Sequence, residues 1–115
     1  MNGLENNNEP IQEGPKDPVL LELLPEFIEA WESDFAVQWI DIVSRGNLEE
    51  LHRFGHTIKG SFLQFGFRSL SACGRAIMEA ANAGDWNAAT AQVKQLTAAL
   101  ETMKNNLSSS NNSKA

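Results

Sequence analysis

The chain has 115 residues, of which 42% are hydrophobic, and a formal net charge of −6 at pH 7. That is enough apolar material for a folded body and enough length for one domain with a single modest core. The acidic balance lacks the basic footprint that nucleic acid binding needs and is unsuited to an anionic membrane surface, which leaves a protein partner or a small ligand.

The first 17 residues, "MNGLENNNEPIQEGPKD", are rich in Asn, Glu, Pro and Gly and predict a mobile arm. The arm has no basic start and no apolar run, so it does not read as a signal peptide, and Asn2 stands where myristoylation needs glycine. No apolar stretch is long enough to span a bilayer, and the single cysteine, Cys73, excludes an internal disulfide. A cytoplasmic protein is expected.

Asp17-Pro18 offers an N-cap carboxylate followed by proline at the first helical position. The run "VLLELL" predicts a short apolar helix that stops at Pro25. A second helix is expected from Pro25 to about Arg45, with Phe27, Trp31, Phe35 and Ile42 as its apolar stripe and Gly46-Asn47 as its stop. Asn47 can cap a third helix that runs to Phe65 and ends at Gly66. Ser69 is the candidate cap for a fourth, from Leu70 to Ala83, closed by Gly84; Cys73 falls on its Leu70–Cys73–Ile77 stripe and reads as core. Asp85 can cap a fifth, in which Trp86, Ala89, Val93, Leu96 and Leu100 keep helical spacing. The tail from 108 to 115 is polar and predicted to be disordered. Connections this short place neighbouring helices antiparallel. The expected fold is all-α, an up-down antiparallel four-helix bundle over residues 18–107 with a short extra N-terminal helix, and a monomer.

The third helix carries the chemistry. At about 100° per residue, Leu48, Leu51, Gly55, Ile58, Phe62 and Phe65 fall on its core side. His56 points well away from that stripe. Lys59 lies on the flank between His56 and the core, and Gly60 lies beside His56 on the outer face. His52 and Leu63 fall near the same line, with Arg53 and Gln64 further out. An exposed neutral imidazole is a competent nucleophile, and a lysine one turn on can sit beside anionic oxygens. Gly60 is harder to explain from the helix alone, because glycine inside a helix costs about 1 kcal/mol relative to alanine. Its missing side chain would clear space above the ring for the backbone of another protein.

The stretch "HTIKGSFLQFG", residues 56–66, resembles the signature of the histidine-containing phosphotransfer (HPt) domain, H-x-[LI]-K-G-S-x-x-x-x-G. "IMEAANAGDW", residues 77–86, is similar to the hydrophobic-Glu segment of the same family. The resemblance covers residues 18–105. It implies a four-helix bundle in which His56 is phosphorylated, Lys59 helps neutralise the phosphoryl group and Gly60 gives the partner clearance. The implied partners are receiver domains of response regulators and hybrid sensor kinases. The resemblance implies no ATP-binding catalytic centre and no cofactor on this chain, with Mg²⁺ supplied by the receiver. His52, Arg53, Leu63, Gln64 and Phe67 are the expected contact residues. Phe62, Leu63 and Phe67 occupy positions usually small in the family, so Leu63 and Phe67 bear on partner choice.

Other signals are weaker. His52 and His56 have the spacing of two zinc ligands on a helix, but Arg53 stands where a zincin carries its glutamate, and no third histidine or cysteine is free. No functional metal site is expected. "GHTIKGS" has no lysine after Gly60 and no strand before it, so it is not a phosphate loop. The carboxylates along 22–34 and at 49–50 read as solvated faces and caps, and Ser61 points away from His56. The competing function is a helical adaptor that docks a receiver or kinase without passing phosphate.

Overall fold

The computed structural model describes residues 13–114, with side chains through 107. Four helices account for nearly all of them: α1 (Pro18–Arg45), α2 (Leu48–Gln64), α3 (Arg68–Ala83) and α4 (Trp86–Lys114). There is no strand among the described residues, and no helix there is long and apolar enough to cross a membrane.

Helix α1 starts as its sequence predicts, with Asp17 Oδ1 accepting from the Val19 N–H at 2.9 Å. It then runs unbroken through Pro25 to Arg45. The short extra N-terminal helix is therefore part of α1. A proline inside a helix removes one hydrogen bond, here the one to the Leu21 carbonyl. Both Pro25 and Leu21 are exposed, so water can take that carbonyl, and the stripe from Ile28 to Ile42 holds the rest of the helix on the core. Gly46 stops α1 in the left-handed conformation (φ 61°), its N–H returning to the carbonyls of Ile42 and Val43.

Asn47 caps α2 through a 3.0 Å bond from the Glu50 N–H, and Asp85 caps α4 through one from Ala88, also 3.0 Å. Ser69 does not cap α3. That helix begins at Arg68, with Phe67 in the cap position and no side-chain cap bond of its own. Helix α4 continues to Lys114, beyond the expected end at 107. Of the expected mobile arm, residues 1–12 lie outside the described residues; Glu13 bonds to Ser69 in the first turn of α3, and Gly14 to Gly66 in the α2–α3 turn.

The core is a single cluster fed by all four helices. Helix α1 meets α2 through rings. Trp31, Phe35 and Trp39 surround Phe54, with centroids 6.1, 5.7 and 6.3 Å away, and Phe27 packs on Phe62 and Phe65 at 5.0 and 4.1 Å. Helices α2 and α3 meet through glycines instead. A Cβ on Gly74 would stand 2.5 Å from the Lys59 backbone nitrogen, and one on Gly55 would stand 2.8 Å from the Gly74 carbonyl. Ala89, Val93, Leu96 and Leu100 bury the inner face of α4, and Lys104 reaches Glu32 of α1 at 3.2 Å. The Arg45 guanidinium ties Asp41 to Glu50 across the α1–α2 turn, and its hydrogen bonds hold the Asp41 carboxyl below its usual range.

Candidate functional site

The glycine contact with α3 fixes the rotation of α2. Gly55 faces α3, while Leu51, Phe54, Ile58 and Phe62 are buried on the same side. Every other residue of α2 is placed by that constraint. His56, next to the contact glycine, is exposed. His52 is half-buried one turn before it. Arg53, Gly60, Leu63 and Gln64 are exposed, and Leu63 leaves 52% of its surface in solvent.

Lys59 is half-buried, and its main chain is held twice. Gly74 lies against its backbone nitrogen, and the buried Ser71 hydroxyl donates to its carbonyl at 2.8 Å. The lysine side chain makes no ion pair among the described residues and lies one turn from the imidazole. A Cβ built on Gly60 would meet nothing within 4 Å. The fold thus supplies no internal reason for glycine at that position.

A shallow open groove runs alongside His56. Leu48, Glu49, His52, Arg53 and His56 line one side, and Ala81 and Asn82 of α3 line the other. Leu48, expected on the core side, is partly exposed here and borders the groove. Thr57 and Ser61 line a different groove, between α2 and α1, so the serine of the motif is off the histidine's face. Among the described residues no cluster of three His, Cys, Asp or Glu side chains could hold a metal ion.

Phe67 departs from the expected contact set. It is 7% exposed, with its ring 6.2 Å from Phe27 and 6.3 Å from Phe62. Its position just after the turn brings the side chain back under α2, where the apolar cluster takes it up. Phe67 closes the core and is not a surface contact.

The groove wall of Ala81 and Asn82, and the Ser71 and Gly74 supports behind Lys59, were not anticipated. A signal for part of this was present: Ser71, Gly74 and Ala81 are small residues at helical spacing on one face of α3, opposite the Gly55 of α2.

The result is a solvent-facing histidine on a helix, with a cation one turn on, an open glycine beside it and an open groove along its flank. The family model of the Hpt domain matches residues 17–106. The chain belongs to the Hpt domain family. Hpt domains are phosphotransfer modules of phosphorelays, carriers of the phosphoryl group and not catalytic enzymes. No curated protein and no solved structure is detectably similar to the chain. The matched segment of this Hpt domain spans α1, α2, α3 and most of α4, and contains every candidate site residue.

Proposed function

We propose that this Hpt domain is a phosphocarrier that accepts a phosphoryl group on His56 from a receiver-domain aspartate or a sensor kinase, and passes it to the aspartate of a response regulator. The observation that carries the proposal is the outer face of α2: His56 exposed, with Gly60 open beside it and Lys59 positioned from behind by Ser71 and Gly74.

The chemistry balances without any group beyond the two proteins and the receiver's own Mg²⁺; this chain needs no cofactor. An imidazole nitrogen of neutral His56 attacks the phosphorus of an aspartyl phosphate. The N–P bond forms as the P–O bond to the acyl group breaks, and the receiver recovers its carboxylate. Onward transfer is the reverse step with a second receiver, whose carboxylate attacks while the imidazole leaves. Lys59 sits beside the equatorial oxygens as a point charge. The absent side chain at Gly60 lets the receiver's loops approach the ring. His52, Arg53, Leu63 and Gln64 form the rim they rest on, with Leu63 as the apolar contact.

The bundle acts as a monomer in the cytoplasm, with its helices running up and down as the short connections at Gly46-Asn47 and Gly84-Asp85 favour. The test is incubation with phosphorylated receivers, followed by chemical analysis of the label. Phosphate on histidine is labile to acid and stable to base, and that stability is the expected result. No label on the protein, with a stable complex still formed, would favour an adaptor. Acid-stable label on Ser61 would displace His56.

A further inference from the structure

We infer that Glu13 and Gly14 form a strap that caps α3 from 56 residues earlier in the chain and controls the order of the α2–α3 turn. Helix α3 starts with no cap of its own, since Phe67 occupies the cap position and has no side-chain acceptor. The first turn of a helix leaves N–H groups without partners. Glu13 takes up that role: its Oε1 accepts from the Ser69 N–H at 2.9 Å, and its Oε2 accepts from the Ser69 hydroxyl at 2.8 Å. A carboxylate at this end of a helix is also favoured by the helix dipole.

The next residue sets the strap's register. The Gly14 N–H donates to the Gly66 carbonyl at 3.1 Å. Gly66 has φ +83°, and a Cβ there would stand 2.6 Å from the Gly14 oxygen. Gly14 has φ +128°, and a Cβ on it would stand 3.2 Å from the Phe67 ring. Gly66 therefore serves two ends: it makes the turn after α2, and it leaves the seat in which the strap lies. Gly14 in turn lies against the Phe67 ring, which closes the aromatic end of the core.

The first turn of α3 is thus conditional on the N-terminal segment. With the strap released, Ser69 turns its N–H and hydroxyl to water, Phe67 loses contact, and the turn that follows Leu63 and Gln64 loosens. That turn lies about 15 Å along α2 from His56, taking ~1.5 Å per residue. The device needs neither a phosphoryl group nor a partner, so it stands or falls apart from the phosphocarrier proposal.

Amide hydrogen exchange on the full chain tests it. In Glu13→Ala the Gly14 and Ser69 amides should exchange at least about tenfold faster than in the parent, with Ile58 and Ile77 unchanged. Ser69→Asp gives α3 a carboxylate of its own in the first turn and repels Glu13. There the Gly14 amide should again speed up, while the melting temperature holds. Unchanged Gly14 and Ser69 exchange in Glu13→Ala would overturn the strap, as would a Gly14 amide still protected in Ser69→Asp.

Discussion

Gly60 is the residue at which stability and the proposed function pull apart. It sits in a regular helical turn with open space where a Cβ would go, so the usual reasons for glycine, a left-handed conformation or a crowded contact, do not apply. Gly60→Ala should stabilise the fold by about 0.5–1 kcal/mol, because nothing opposes the gain in helix propensity. Gly60→Gln should retain part of that gain. Both side chains would stand beside His56, where the proposed phosphotransfer needs a receiver to approach. Phosphotransfer should fall with side-chain size, mildly for alanine and severely for glutamine, while the melting temperature rises or holds. Melting temperature and transfer rate measured on the same preparations decide the matter. A Gly60→Gln protein that transfers at the parent rate would remove the clearance role from this glycine.

Helix α2 works as an element because its two faces are set by different rules, and neighbouring positions test its rotation. Phe62 is fully buried, whereas Leu63 is half in solvent. Phe62→Asp should unfold the protein, since it buries an unpaired charge among aromatic rings. Leu63→Asp should leave the circular dichroism unchanged and weaken receiver binding by placing a charge in an apolar contact. Helix α3 has its own test in Gly74→Ala. Overpacking typically costs about 1–3 kcal/mol. Here the new methyl would strike the backbone of α2 at 2.5 Å, with no flexible side chain to yield. The roughly 1 kcal/mol that alanine gains in helix propensity offsets only part of that cost. A lower urea midpoint is expected, with looser positioning of Lys59; a midpoint at or above the parent's would mean that the helices can separate cheaply.

At the scale of the molecule, what the sequence reveals is periodic and local. The caps at Asp17, Asn47 and Asp85 and the stops at Gly46 and Gly84 are written within a few residues of where they act, and the apolar stripes identify the inner faces. The orientation of His56, Gly60 and Leu63 follows from the same period, which is why the face they share was legible. The misses share a cause, which is contact between segments remote in sequence. Pro25 reads as a break because its local cost is plain, while the packing of Ile28 and Trp31 that keeps α1 continuous is not local. Phe67 reads as a surface residue because only the fold brings Phe27 and Phe62 to it. Ser69 reads as a cap because nothing near it in sequence announces Glu13.

The proposed function puts the phosphoryl group on one exposed histidine of the bundle, and a two-step relay follows it there. A phosphorylated receiver is mixed with the protein and a second, unphosphorylated receiver, and the label is followed to all three with its position mapped by mass spectrometry. The parent should carry label on His56 and pass it to the second receiver. His56→Gln should block both steps while its melting temperature stays close to the parent's, since exposed substitutions shift stability by only about 0.5 kcal/mol. Label reaching the second receiver through a folded His56→Gln protein would contradict the account.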